Sequence, residues 1–273
     1  MTDRIETTLR AFFGLKSLPF TKFASSDEHM PTSSVTAGLE KLRYLADRRG
    51  IAILTGAPGT GKSTLLRAFM ESLPKSAFAV CYVAHTTCSC IDLLRLISRG
   101  FDIAPPHSRA EVTRQLKERI LKLSRQNKIH PVLIIDEGHL LTGPFLDELR
   151  ILCNYDGDSH DDLTLLLAGH YQLESNLRLA VHEAFAQRVL FRIRLKGWDR
   201  DEVDKYIHFR LEKAGRTAKL FLPDAIEAIW KISRGVPRQV DRAAEHALLF
   251  ALQHRKKEID ADLVSEIIQE IEP

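Results

Sequence analysis

The 273-residue sequence lacks the patterns that mark a membrane protein, a secreted protein or a disulfide scaffold. It has only 4 cysteines, too few for a disulfide framework in a chain of this length, so we expect reduced thiols. No window holds 18 uninterrupted apolar residues, and the N-terminal stretch MTDRIETTLRAFFGL contains acidic residues instead of a long apolar core. We therefore expect a cytoplasmic protein without membrane insertion.

A strong charge of one sign is also missing. The formal net charge is +3, which is too small to indicate a nucleic-acid partner by itself. The segment HTTCSC brings His85, Cys88 and Cys90 close together. A zinc site normally needs a second pair of ligands at short spacing, and Cys153 has no such neighbour. We expect no zinc site at these residues.

Five apolar runs predict buried strands, and helical patterns separate them. The first, third and fourth runs are almost continuously apolar, which is typical of parallel strands covered on both faces. Strands alternating with helices predict an α/β fold with right-handed crossovers, that is, a parallel five-stranded sheet with helices on both faces. The five runs are residues 51–55, 77–84, 131–136, 163–169 and 189–195.

The pattern changes near Gly197, after which the sequence contains only helical signals. These signals cover residues 200–213, 224–233, 237–254 and 260–271. We therefore predict two domains: an α/β domain at 1–196 and a small all-helical lid domain at 197–273.

The segment GAPGTGKS fits the pattern G-x-x-x-x-G-K-[ST] at each fixed position. Its glycines allow a tight loop whose N–H groups point inward at an anion, and the following helix adds its positive end. A glycine-rich turn with a chance lysine is the alternative, which the flanking strand and helix disfavour. The pattern predicts phosphate binding by Gly56, Ala57, Pro58, Gly59, Thr60, Gly61, Lys62, Ser63 and Thr64.

A second acidic motif, PVLIIDEGHLL, places Asp136 and Glu137 at the end of a strand. Such an aspartate holds Mg²⁺ together with the loop hydroxyl of Ser63, and the next acid orients and deprotonates the attacking water. A buried strand that ends in solvated acids is the alternative. The extra strand at 77–84, between the two motifs, is typical of the large division of NTPases that carries a catalytic glutamate.

These motifs occur in order with FLDELRILCNYD, LLLAGHYQLE, AQRVLFRIRL and RGVPRQVDR. The ordered set resembles the AAA+ ATPases and, within them, the ExeA-type group, whose N-terminal signature is similar to FFGLKSLPF at 12–20. The resemblance implies a P-loop fold with a helical lid, ATP and Mg²⁺ as cofactors, and ATP hydrolysis. In that group the N-terminal segment lies near the adenine. A hydrophobic staple that pins this segment to the core is the other interpretation.

The resemblance also implies roles for residues outside the two motifs. His170 stands at the position of sensor 1, which reads the γ-phosphate; the group commonly has glutamine there, and a surface histidine without a role is the alternative. Arg188 matches the arginine finger that enters a neighbouring subunit's site, with Arg192 and Arg194 as rivals. Arg238 matches sensor 2, which reaches the phosphates from the lid.

An arginine finger acts only across a subunit interface, so the resemblance implies a homo-oligomeric ring or filament. We predict duplex DNA and a transposase as partners, as for the TnsC, IstB and MuB ATPases. Basic segments at 48–50, 125–128, 192–196 and 254–257 add modest support. The ExeA-type secretion proteins continue into a membrane helix and a periplasmic domain, and we expect neither here. A secretion-complex protein is therefore the alternative partner, and a slow nucleotide-gated binding module is the third interpretation.

Overall fold

The computed structural model describes residues 2–21, 30, 32–84, 86–155 and 160–271. His85, considered above as a zinc ligand, lies outside the described residues. The chain divides into two compact units, Ser33–Leu195 and a second unit formed by Met1–Thr32 together with Lys196–Pro273. The predicted domains assigned residues 1–32 to the α/β domain, whereas the structure groups them with the C-terminal helices.

A single five-stranded sheet forms the centre of the first unit, and all its neighbouring strands are parallel. Its order is β2-β3-β4-β1-β5. The carboxyl ends of β3 and β1 therefore flank the carboxyl end of β4. This sheet confirms the predicted fold class. The strands are β1 (Gly50–Gly56), β2 (Phe78–Val83), β3 (His130–Ile135), β4 (Thr164–Gly169) and β5 (Val189–Leu195).

Twelve α-helices are described, and within the described chain no helix is long and apolar enough to cross a bilayer. They are α1 (Thr2–Phe13), α2 (Ser33–Arg48), α3 (Lys62–Glu71), α4 (Cys90–Gly100), α5 (Arg109–Leu121), α6 (Gly143–Leu152), α7 (Gln172–Leu177), α8 (Glu183–Ala186), α9 (Arg200–Lys213), α10 (Pro223–Ser233), α11 (Pro237–Gln253) and α12 (Ala261–Ile271).

Helices cover both faces of the sheet, which explains why its central strands are apolar at successive positions. On β1, Ile53 packs into the core shared with α4, α5 and α6, while the next residue, Leu54, packs into the core shared with α2 and α3. Successive side chains of a strand point to opposite faces, so a strand covered on both sides needs apolar residues throughout.

The N-terminal segment packs against the helical unit, and its aromatic residues belong to that unit's core. Phe13 and Phe20 are buried in one cluster with residues of α9, α10, α11 and α12. The buried Arg210 of α9 donates to the carbonyl oxygens of Pro19 and Thr21, and Arg216 donates to that of Phe13. These bonds join positions about two hundred residues apart, so local sequence patterns could not assign the segment to its unit.

Two glycines allow the start of the helical unit to lie against the turn between α10 and α11. The N–H of Trp198 donates to the carbonyl of Gly235 over 2.8 Å. A Cβ on Gly235 would lie 1.9 Å from the Trp198 carbonyl oxygen, and one on Gly197 would lie 2.2 Å from that of Arg234. Neither position has room for a side chain. The close contact between the segment Gly197–Trp198 and the segment Arg234–Gly235 therefore requires glycine in both.

Candidate nucleotide-binding site

The loop after β1 has the geometry of an anion-binding loop. Gly61 has a φ of 94°, a conformation that favours glycine, and it immediately precedes α3. A Cβ on Gly56 would lie 2.5 Å from Thr60 Oγ1 and 2.8 Å from the Leu195 carbonyl oxygen, so glycine is required there too. Among the described residues no side chain caps the start of α3, and the N-terminus of a helix attracts an anion.

Lys62 is held inside this loop. Its side chain is buried, and its Nζ donates to the carbonyl oxygens of Gly56 over 2.9 Å and Ala57 over 3.1 Å. Thr60 Oγ1 donates to the same Ala57 carbonyl over 2.8 Å. The ammonium group therefore lies inside the loop, against two of its carbonyl groups, and its contact with a phosphate stays a prediction.

Asp136 follows β3 and is almost completely buried. Its Oδ1 accepts from the backbone N–H of Glu137 over 2.9 Å, and its Oδ2 accepts from the hydroxyl of Tyr82, also over 2.9 Å. Burial and this hydrogen bond raise the pKa of Tyr82 to about 12, so the phenol remains a donor at neutral pH. The Asp136 carboxylate and the Ser63 hydroxyl are hard oxygen donors of the type that Mg²⁺ prefers, so the donor set fits that ion.

Glu137 has a left-handed backbone conformation, with φ 52° and ψ 32°. This conformation costs a non-glycine residue of the order of 1–3 kcal/mol and is concentrated at functional sites. The Glu137 carbonyl accepts from Thr86 Oγ1 over 3.2 Å, and a 3-10 turn, Gly138–Leu140, follows at once. The turn brings His139 back to the Glu137 side chain, where its Nδ1 lies 3.5 Å from Oε2.

His170 follows β4, the strand between β1 and β3, and it faces the same acidic residues. Its Nε2 lies 3.9 Å from Glu137 Oε2, and its ring stacks on that of His139 with centroids 4.1 Å apart. Burial lowers the pKa of His170, and the nearby His139 and Lys62 lower it further, while Glu137 and Asp136 act in the opposite direction. The imidazole is therefore neutral at pH 7 and offers one N–H donor.

An ion pair between a buried carboxylate and a half-exposed arginine lies next to the start of the phosphate loop. Glu174 of α7 accepts from Thr55 Oγ1 over 2.5 Å, one residue before the loop begins. Its two carboxylate oxygens also accept from Nε of Arg194 on β5, over 2.8 and 2.9 Å. The Glu174 carboxylate therefore connects the ends of β1 and β5 and restrains the strand from which the loop starts.

We expect Glu174→Ala to lower the free energy of unfolding by about 2–3 kcal/mol in urea denaturation. Removing one partner of a buried pair costs about 3–5 kcal/mol, and Arg194 is half exposed, which reduces the loss. Glu183→Ala is the matched control, because the exposed Glu183 accepts from Gln187 at the surface and should cost less than about 0.5 kcal/mol. An equal loss in both variants would contradict the assigned role of Glu174.

The same ion pair should make stability depend on pH. The hydrogen bond from Arg194, followed by that from Thr55, lowers the pKa of Glu174 below its ordinary value of 4.5. A carboxylate whose pKa is lowered by folding contributes its full stabilisation above about pH 4.5 and loses it as the pH falls further. When the pH is lowered from about 5 to about 3, the free energy of unfolding should therefore fall less in Glu174→Gln than in the wild type.

The candidate arginines have different environments. Arg194 is committed to Glu174, and Arg192 donates to the Ala186 carbonyl over 3.1 Å. Arg188 lies against the C-terminal end of α6, where it donates to the carbonyl oxygens of Arg150 and Cys153 over 3.3 and 3.0 Å. Arg238 is exposed in the first turn of α11. The finger and sensor roles of Arg188 and Arg238 stay predictions.

The structure adds three contributors that the sequence analysis did not identify. Tyr82 orients Asp136 from the neighbouring strand, and no local pattern marks it, because the contact depends on the pairing of β2 with β3. Glu174 looks like an ordinary helical acid until β1 and β5 are paired. His139 is only two residues after Glu137 in the sequence, but its ring contacts Glu137 because the backbone of Glu137 is left-handed. The sequence alone does not predict this contact.

Comparisons with known proteins agree with this geometry. Residues 45–177, which include both motifs, match a family described as an AAA domain. The chain is 30% identical over 245 residues to General secretion pathway protein A of Aeromonas hydrophila, a match that covers 88% of this chain. The chain spans 44% of that relative's length.

Solved structures with the same fold share much less sequence. Cdc6p of Pyrobaculum aerophilum superposes with a TM-score of 0.68 at 20% identity, covering 93% of this chain and 70% of that one. The ORC2 protein of Aeropyrum pernix, solved with ADPNP and ADP, superposes with a TM-score of 0.65 at 17% identity, covering 93% and 71%. At these identities the likeness concerns the fold alone.

Proposed function

The chain belongs to the AAA+ family, in its ExeA-type group, and from this premise we propose that it binds Mg·ATP and hydrolyses it. The observation that carries the proposal is the meeting of three elements at one edge of the sheet. The loop with Lys62 follows β1, Glu137 lies just after β3, and His170 follows the strand between them. The adenine base rests on the family resemblance.

Each residue has a chemical task that its environment supports. The loop N–H groups and Lys62 would bind the β- and γ-phosphates and offset the charge that develops on them. Mg²⁺, held by Ser63 and Asp136, would bridge phosphate oxygens and neutralise their charge. Glu137, whose carboxylate is half exposed, would accept the proton of the attacking water. The neutral His170 would donate a hydrogen bond toward the γ-phosphate.

The proposal includes assembly into a homo-oligomer that works in the cytoplasm. The chain around Arg188 carries exposed apolar side chains: Val181 is 71% exposed, Leu179 55% and Leu190 51%. Adjacent exposed aliphatic residues are typical of an interaction surface. A second subunit packed here would bury them, and it would approach Arg188 on the same surface.

Val181→Asp tests this surface, because a side chain so exposed contributes little to the fold. We expect wild-type protein to form large species with Mg²⁺ and a non-hydrolysable ATP analogue in sedimentation velocity, and Val181→Asp to remain monomeric with its nucleotide affinity retained. Ile5→Asp is the control, since Ile5 is 49% exposed on α1 and belongs to the other compact unit. Normal assembly of Val181→Asp would place the interface elsewhere.

For the partner, the predicted duplex DNA and transposase remain the first candidate. Two of the basic segments meet in the structure, where Arg125 and Arg49 share the buried Asp162 at 2.5 and 3.5 Å. Lys128, His130 and His160 line the same cleft, which has a volume of about 390 Å³. The two arginines and Lys128 gathered at this cleft favour a polyanion, although Asp162 offsets part of their charge.

A protein of a secretion complex is the second candidate, and the similarity to General secretion pathway protein A favours it. Turnover and assembly measured with and without duplex DNA separate the two. A DNA-bound regulator should show assembly that increases with DNA and falls steeply with salt. Unchanged turnover and assembly at low salt would instead favour the protein partner.

A further inference from the structure

Three ligand-type side chains gather at the edge of the phosphate site. They belong to Glu137, His139 and His170, and one ligand atom of each lies within 4.8 Å of the other two. Nδ1 of His139 and Nε2 of His170 lie 3.5 and 3.9 Å from the same carboxylate oxygen, Oε2 of Glu137. The side chains of His170 and Glu137 are 37% and 45% exposed, so solutes can reach them.

We propose that these three residues form a binding site for a divalent transition metal of the zinc type, separate from the Mg²⁺ ligands Ser63 and Asp136. Zinc bonds to imidazole nitrogen and carboxylate oxygen are about 2.0–2.2 Å long, which places ligand atoms of a tetrahedral site about 3.4 Å apart. Two of the three separations, 3.5 and 3.9 Å, are near this spacing, and the two nitrogens lie within 4.8 Å of each other.

The donor set decides which metal binds. Two imidazoles and one carboxylate suit Zn²⁺, Ni²⁺ or Co²⁺, whereas Mg²⁺ prefers oxygen ligands and gives up its water reluctantly. Three protein ligands leave a fourth tetrahedral position open to water. The two rings stack with an angle of 12° between their planes. An imidazole binds a metal in its own plane, so one ring must turn for both nitrogens to bind the same ion.

Metal binding at this site should also slow ATP turnover, an expectation that rests on the proposed function. A Glu137 carboxylate bound to the metal can no longer accept the proton of the attacking water. Occupancy of the site would therefore slow hydrolysis without displacing the nucleotide from the loop. The site requires a histidine at position 170. A glutamine there would leave only Glu137 and His139 as ligands.

The test is a calorimetric titration of the nucleotide-free full chain with ZnCl₂ in excess Mg²⁺. We expect one equivalent of zinc to bind in the wild type. His139→Ala and His170→Gln should each weaken zinc binding by at least about 100-fold, because loss of an outer-shell partner alone costs roughly 10–100-fold. His107→Ala is the matched control, since His107 is exposed in the loop before α5 and should leave binding unchanged.

Cysteine thiols are a competing source of zinc binding, so the titration is repeated in a Cys88→Ser, Cys90→Ser background. Retention of the zinc site there, together with its loss in both histidine variants, supports the proposal. Zinc binding that survives both histidine substitutions, or that disappears with the two cysteines, overturns it. No nucleotide is present, so a failure of the proposed ATP hydrolysis would not affect this result.

Discussion

Lys62→Ala is expected to reduce steady-state ATP turnover by about 100-fold or more, since removal of a single preorganised charge-stabilising group typically costs about 100–1,000-fold. The ammonium group of Lys62 is buried in the loop and donates to the carbonyls of Gly56 and Ala57. Phosphate release under saturating Mg·ATP measures the effect.

Lys75→Ala is the matched control, because Lys75 is exposed in the turn after α3 and should keep wild-type turnover. Circular dichroism distinguishes loss of function from loss of fold, and both variants should retain the helical signal. Turnover of Lys62→Ala within a few-fold of the wild type would mean that hydrolysis occurs at another site.

Glu137→Gln is expected to lower turnover by about 100- to 10,000-fold, the usual contribution of a general base, while Mg·ATP binding is retained. Glutamine has the size of glutamate and can adopt the same backbone, but its amide cannot accept the proton of water. The Asp136 interactions with Tyr82 and with the backbone N–H of residue 137 should be preserved. Single-turnover phosphate release and equilibrium binding of Mg·ATP together measure the separation.

Glu71→Gln is the control for this second substitution, because Glu71 is exposed at the end of α3 and should leave both quantities unchanged. A Glu137→Gln protein that loses nucleotide binding as well would point to a structural role of the carboxylate. One that keeps normal turnover would assign the base to another residue.

The sheet and the phosphate loop could be predicted because their signals are local. A strand covered on both faces must be apolar at successive positions, and all five predicted strands are present within two residues of their predicted ends. The loop motif is also local, since its glycines, Lys62 and Ser63 all lie within the eight residues of GAPGTGKS. These parts of the site follow from neighbouring residues alone.

The remainder depends on contacts between distant positions. Phe13 and Phe20 bury themselves against helices that begin near residue 200, so the division of the chain could not be read from the N-terminal pattern. Tyr82 and Glu174 reach the site through strand pairing and crossover connections. The approach of His139 to Glu137 depends on the left-handed backbone of Glu137. The sequence DEGHLL does not predict this conformation, because its glycine is residue 138 and not residue 137.

The most direct test of the account is a calorimetric titration of the wild-type chain with Mg·ATP, with AMP in parallel. AMP lacks the β- and γ-phosphates that the loop amides and Lys62 are placed to bind. We expect saturable binding of one Mg·ATP per chain and no measurable binding of AMP. Absence of Mg·ATP binding, or equal affinity for AMP, would contradict the assignment of this edge of the sheet as a triphosphate site.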